Sequence, residues 1–336
     1  MKFRTEIETT NNGLNLEAGD AVVLLGSCFS NEIGKRMACD KFNCLVNPFG
    51  TLYNPLSIAQ ALEILLGKAD ETAARLSDSA FKADGQWYSW VFGTGFSADT
   101  CGELLQKTEA AVKRASSALL NARLLAVTFG TSRAWSLGHG SGYVVANCHR
   151  QPAGMFEEQD TGISQAVERL GAALNRLFAL NSRIAVVFTV SPYRYLHYGM
   201  HSSNVSKAKL MLVAEELVER YNGRCCYFPS FEILNDELRD YRFYAPDMVH
   251  PSQQAADYIY TKFADASFSG NAQSFVNEWG AVAKTLSHRP SDSHSAQYLA
   301  MMRNTLDKIN CLAAKYPQVD FHEERNNISQ ILSQEP

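Results

Sequence analysis

The sequence predicts an α/β fold: a three-layer α/β/α sandwich around a mainly parallel sheet, followed by a helical C-terminal extension. Three observations predict it. Short apolar runs of strand length are nearly continuous rather than alternating, as in strands covered on both faces. Segments of helical periodicity lie between them, which is the order of a doubly wound sheet. From residue 267 onward no strand-like run occurs, only helical patterns.

In chain order, residues 21–25 (AVVLL) make the first strand and residues 30–39 the helix after it. Residues 42–46 (FNCLV) are a weaker strand. Asn54-Pro55 is a helix-start signal and opens a helix over 55–66. A helix over 102–121 leads into the strand 124–129 (LLAVTF), and residues 142–146 (GYVVA) read as a small added strand. A helix over 162–180 leads into 183–190 (RIAVVFTV), and one over 204–221 into 225–228 (CCYF). A helix over 252–264 follows DMVHP. In the tail, helices over 273–287 and 294–315 flank the polar stretch SHRPSDSHS. The chain therefore divides into a domain over 1–266 and an extension over 267–336. The charge run 235–242 (NDELRDYR) reads as a solvated helix face. Trp87 and Trp90 read as core aromatics, with the wall of an apolar subsite as the alternative.

A chain of 336 residues can bury a sizeable core without staples. Its 31 Lys and Arg against 35 Asp and Glu leave a net charge of −4, which lacks the footprint of a general nucleic-acid binder. No apolar run approaches the ~20 residues of a membrane helix, and the first residues lack the apolar core of an export signal. A cytoplasmic location is expected. The eight cysteines then read as free thiols. No CxxC pair or HExxH is present, and His197 and His201 lack a third ligand, so no metal or cofactor is expected.

Ligands of open parallel sheets bind beyond the carboxyl ends of the strands. The segments that follow the predicted strands there are Gly26-Ser27-Cys28-Phe29-Ser30, Asn47-Pro48-Phe49-Gly50, Gly130-Thr131-Ser132-Arg133 and Ser191-Pro192-Tyr193-Arg194. Asp247 and His250 stand three apart in a later loop, a spacing that lets a carboxylate hold one imidazole nitrogen and orient the other. A thiol on the turn into the first helix meets free N–H groups and positive potential. On these residues alone, a capping Ser27 beside a buried Cys28 is the favoured reading.

The order of the motifs is similar to the four-block layout of SGNH (GDSL-type) hydrolases. More closely, GSCFS at 26–30, NPFGTLYNP at 47–55, NCHRQP at 147–152, SPYR at 191–194 and YRFYAPDMVHPS at 241–252 resemble the GSCFA family. The resemblance spans about residues 20–265. It implies an acyl-ester hydrolase or acyltransferase with an acyl-enzyme intermediate, acting on a small-molecule or carbohydrate ester. Matched at the glycine, Cys28 falls on the superfamily's nucleophile, with Ser27 as the alternative, while Asp247 and His250 match unchanged. The oxyanion donors implied are the N–H groups of Cys28 and Gly50, and Ser132 in place of the usual asparagine. Asn47, Arg133, Asn147, His149 and Arg194 are candidate substrate contacts; Arg194 could equally pair with the acidic residues near 237–240. The rival class is a catalytically degenerate binding protein for a glycan or acylated ligand, and a third reading makes the tail a partner interface.

Overall fold

The computed structural model describes residues 4–9, 12–138, 143–288, 290 and 295–333. The apolar runs form one five-stranded sheet: β1 (Ala21–Gly26), β2 (Asn43–Val46), β3 (Leu124–Phe129), β4 (Ala185–Val190) and β5 (Cys225–Tyr227). Its order is β5-β4-β3-β1-β2 and every pairing is parallel. The register aligns Val22 with both Cys44 and Leu124, and Leu124 with Ala185. All six residues of β3, the central strand, are buried.

Alternation along each strand divides the core in two. Val23, Leu25, Leu125, Val127 and Phe129 pack against the helices Pro55–Leu65, Cys101–Asn121, Ile163–Leu180 and Gly199–Arg220. Val22, Leu24, Leu124 and Ala126 pack on the other face against Cys28–Cys39 and Gln253–Ser267. The result is the three-layer sandwich expected from the sequence.

Several elements differ from the expectation. A helix, Ala69–Asp78, buries only Leu76 and so has no apolar stripe to detect. The hairpin Ala80–Ala83/Gln86–Ser89 turns at Asp84-Gly85, both with positive φ (49° and 82°). Val144–Val145, Arg133–Leu137 and Phe156–Asp160 form a separate antiparallel sheet. The added strand is thus only two residues long, and residue 142 lies outside the described residues. The run NDELRDYR is solvated only in part, with Asp236, Arg239, Tyr241 and Arg242 exposed. Within the π-helical turn Ile233–Leu238, Glu237 is buried, accepts the Ile7 N–H at 2.9 Å and pairs with Lys262 at 3.1 Å.

The tail forms Gly270–Leu286, Ala296–Lys315 and a further helix, His322–Leu332; residue 294 lies outside the described residues. Their apolar faces meet in a cluster around Phe275, Trp279, Ile309, Tyr316 and Ile328 that also takes in Ala18. Trp279 ties this cluster to the first helix by donating its indole N–H to the Cys39 carbonyl at 2.7 Å. Among the described residues no helix is long and apolar enough to cross a membrane.

Candidate active site

The turn after β1 is built by backbone proximity. Gly26 has φ 138°, and a Cβ there would stand 2.2 Å from the Thr128 carbonyl oxygen, so only glycine fits. The next N–H, of Ser27, donates to that same oxygen at 3.1 Å. Ser27 is buried and caps the first helix, its Oγ accepting the Phe29 N–H at 3.4 Å. Cys28 is then the first helical residue, half-buried, at the carboxyl edge of the sheet. Burial pushes its thiol up from the ordinary value, while the N–H groups of Cys28 and Phe29 and the charge of Lys207 pull it down; burial is the larger effect.

The Asp247–His250 pair forms as its spacing predicts. Asp247 Oδ2 lies 2.5 Å from His250 Nδ1, and Oδ1 accepts the N–H groups of Val249 and His250 at 3.0 and 2.9 Å. These bonds hold the Asp247 carboxyl down at about 2, the backbone N–H groups first and the imidazole after them. Met248 takes a left-handed conformation (φ 59°) inside this loop, which lets the chain turn back between the two side chains. Asp247 thus engages Nδ1, and Nε2 is the ring nitrogen it does not hold.

The SPYR segment connects this loop to the sheet. The Arg194 N–H donates to the Val249 carbonyl at 3.2 Å, and the Tyr193 ring lies 4.4 Å from the His250 ring. Tyr193 is also within electrostatic reach of Cys28, Tyr53 and Asp247. Tyr53 in turn accepts the N–H groups of Gly130 and Thr131 at 2.8 and 2.9 Å. A Cβ on Gly130 would come within 3.4 Å of the Ser27 Cβ, so the first and third blocks touch. The structure therefore brings Cys28, Gly130, Tyr193, Asp247 and His250 to one edge. Among the described residues no hydrogen bond joins Cys28 to His250; the Tyr193 ring packs on His250, and the Cys28 charge raises the Tyr193 pKa as a smaller cause than burial.

The oxyanion donors expected from the resemblance are differently employed. The Gly50 N–H closes a turn onto the Asn47 carbonyl at 2.8 Å. The Ser132 hydroxyl, buried, donates to Asp160 Oδ1 at 2.6 Å. A hydroxyl carries one proton, so neither group is a free donor. The Cys28 N–H remains.

The five candidate substrate contacts are likewise engaged within the protein. Asn47 accepts the Gly26 N–H on Oδ1 (2.9 Å) and donates from Nδ2 to Asn31 (2.8 Å). Asn147 accepts the His149 N–H at 2.7 Å. His149 is buried among Phe81, Tyr88 and Trp90, with one ring nitrogen 3.0 Å from the Ser89 carbonyl, and burial holds its pKa down. Arg133 lies over the Tyr198 ring at 4.9 Å and pairs with Glu158 at 3.4 Å. Arg194 bonds Asn235 at 2.9 Å and lies 5.0 Å over Tyr244, so its partner is an amide rather than the nearby acids.

Sequence reasoning missed Lys207. It is fully buried and donates to the carbonyls of Gly130 (2.7 Å) and Ser191 (2.8 Å), the residues that directly follow β3 and β4. Burial lowers its pKa to about 7, and the Cys28 charge opposes that shift. The signal was present: Lys207 stands on the same helical stripe as Leu210, Ala214 and Leu217. Trp90 is buried and stacks on Phe81 at 3.5 Å, which makes it core. No group of His, Cys, Asp and Glu suited to a metal ion occurs among the described residues. A cleft of about 630 Å³ lies at the opposite, amino-terminal edge of the sheet against Arg123, Arg183 and Arg224, and holds none of these site residues.

The fold and site define an α/β protein with a thiol on the first strand-to-helix turn and an Asp–His pair on a late loop. The GSCFA family model matches residues 21–263, and a second model, the C-terminal domain of GSCFA domain proteins, matches residues 279–334. The chain belongs to the GSCFA family. No curated protein matches it.

Proposed function

We propose that this protein is an acyl-ester hydrolase or acyltransferase of the SGNH type, working through an acyl-enzyme on Cys28. The observation that carries the reading is the Asp247–His250 pair, in which a carboxylate fixed by two backbone N–H groups holds Nδ1 and leaves Nε2 for proton transfer. Cys28 is preferred to Ser27 because the Ser27 hydroxyl is buried and caps a helix, whereas the thiol is part-exposed.

In the forward step His250 takes the Cys28 proton, and the thiolate forms a bond to the acyl carbon as the carbonyl electron pair moves onto oxygen. The Cys28 N–H, at the helix N-terminus, donates to that oxyanion. The tetrahedral species collapses, the C–O bond breaks, and His250 returns its proton to the leaving alkoxide. His250 then deprotonates water or an acceptor alcohol, which displaces the thiolate. Apo hydrogen bonds are often long and tighten when substrate binds, which suits a His250 on an exposed loop. Eight free thiols suit a cytoplasmic, reducing location.

The engagement of Gly50 and Ser132 favours a second reading, a ligand-binding protein with an incomplete oxyanion site. Intact-mass measurement after brief exposure to p-nitrophenyl acetate, with peptide mapping, separates the two. The expected result is an acetyl group on Cys28 that His250→Ala abolishes. An acetyl group on Ser27 moves the nucleophile by one residue. Neither adduct nor ester turnover refutes the enzyme and supports the binding protein.

A further inference from the structure

Three arginines stand together at the amino-terminal edge of the sheet. Arg123 directly precedes β3 and Arg224 directly precedes β5. They flank the start of β4: the Ala185 N–H donates to the Arg123 carbonyl at 3.0 Å, and the Val186 N–H to the Arg224 carbonyl at 2.8 Å. Arg183 stands two residues before β4 itself. Adjacent strands lie about 4.8 Å apart, so the three residues share a corner roughly 10 Å wide. Two of the guanidinium groups are held by neutral acceptors. Arg123 donates to the carbonyls of Arg183 (3.1 Å) and Leu14 (2.9 Å). Arg224 donates to those of Ile184 (3.1 Å) and Asn181 (3.2 Å) and lies 4.2 Å over the Phe178 ring. These contacts fix each charge without cancelling it, and a guanidinium has five N–H donors, so each keeps some to spare. Arg183 is exposed, and no hydrogen bond from its side chain occurs among the described residues. No carboxylate pairs with any of the three among the described residues, unlike Arg36, Arg75, Arg133 and Arg169. The cleft of about 630 Å³ opens onto all three, and exposed Glu8 is the one acid in its described lining. Asp20 lines the adjoining hollow, with its Oδ2 taken by the Glu17 N–H at 2.8 Å.

We propose that this cleft binds a small-molecule oxyanion with two or more negative charges, a diphosphate being the simplest. A guanidinium fork matches phosphate and carboxylate oxygens in pairs. Arg123 and Arg224 are already clamped by carbonyls, so a ligand meets them with little ordering cost. Like charges gathered in one corner repel one another, a cost that a bound polyanion offsets and a single negative charge offsets only in part. The cleft is also larger than one ion needs and falls within the usual size of small-molecule sites. Val218, Tyr227 and Pro229 in its lining give the body of a ligand apolar surface. A net charge of −4 over the chain favours a small molecule over a nucleic acid. A purely structural role accounts for Arg123 and Arg224, which tie strand ends together. It does not account for Arg183, an exposed cation set beside two others without a partner. The site is separate from Cys28: the six residues of β3 put about 20 Å between the two edges of the sheet. The inference therefore stands independently of any acyl-enzyme.

The test is isothermal titration of the full chain with pyrophosphate at low ionic strength. The parent is expected to bind with a Kd of about 1 mM or tighter, weakening as salt is added. Arg183 has no structural bond to lose, so its variants keep the fold, which thermal unfolding without ligand checks. Arg183→Gln should weaken binding by about tenfold, and Arg183→Glu should abolish it. Arg242, exposed and paired with Asp240, is the control, and Arg242→Gln should keep the parent Kd. Pyrophosphate should also raise the melting temperature of the parent and leave that of Arg183→Glu unmoved. No heat of binding at several times the expected Kd overturns the proposal. So does a Kd in Arg183→Glu equal to the parent's, which would place the anion elsewhere on the chain. Citrate separates the two sources of such a charge. Competition by citrate at concentrations similar to pyrophosphate supports a carboxylate ligand in the cleft, and failure to compete supports a phosphate one.

Discussion

Asn47 separates two roles that the sequence leaves entangled, a substrate contact and a structural tie. Its Oδ1 accepts the buried Gly26 N–H at 2.9 Å, its Nδ2 reaches Asn31, and its own φ is 45°. Asn47→Ala leaves the Gly26 N–H without an acceptor in a buried turn, which costs about 1–3 kcal/mol. Alanine in the left-handed region adds roughly 1 kcal/mol, since asparagine tolerates it better. The expected loss is about 2–4 kcal/mol in all. Asn47→Gly suffers only the first cost, because glycine accepts φ 45° without strain. Urea unfolding followed by tryptophan fluorescence reads both, and alanine should fall below glycine. If both variants stay within about 0.5 kcal/mol of the parent, the structural tie is refuted and the substrate role is restored.

Two further outcomes are expected. The Asp247 carboxyl is held at about 2 in the folded chain against an ordinary 3.8, so its bonds add stability above the ordinary value and lose it as pH falls toward 2. Protection of the Val249 and His250 amides from hydrogen exchange, corrected for intrinsic rates, should therefore be flat from pH 7 to about 4 and decline below. Protection that stays flat to pH 2 contradicts the assignment. Trp279→Ala empties the centre of the tail cluster and removes the bond to the Cys39 carbonyl, a loss of about 3–5 kcal/mol in chemical denaturation. A loss under about 1 kcal/mol would mean that the tail does not brace the first helix.

The parts of the fold legible in the sequence are those where burial is two-sided. Residues 124–129 and 185–190 are apolar at nearly every position because helices cover both faces, and the parallel sheet follows. The antiparallel sheet was hidden for the opposite reason: Phe156–Asp160 (FEEQD) carries four polar residues and is held by backbone pairing to Arg133–Leu137. At the site, GSCFS and DMVH were legible because a glycine turn and an i,i+3 pair are local features. What a polar side chain touches is not local. Ser132 matched a block position, yet its hydroxyl is claimed by Asp160, twenty-eight residues away on another strand. Lys207 was legible in principle, as a charge on an apolar helical stripe, which is a more informative pattern than another leucine there.

The two halves of the site are held in unlike ways, and that difference bears on mechanism. Cys28 stands on a turn pinned by Gly26, Ser27, Asn47 and Thr128, each through buried backbone contacts, so its position is set by the sheet itself. His250 stands on an exposed loop whose internal order comes from Asp247, and whose described links to the sheet edge run through Tyr193 and Arg194. A general base works only within hydrogen-bond reach of its proton. On the proposed mechanism, the approach of imidazole to thiol then runs through the SPYR segment after β4, which contacts the His250 loop at Tyr193 and Arg194. Arg194 is clamped to Asn235 and Tyr244 within that segment. A rigid nucleophile facing a loop-borne base can admit an ester between them and close on it. On the proposed acyl-transfer reading, the Asp247–His250 pair is formed before substrate arrives and the thiol and imidazole meet only around the ester.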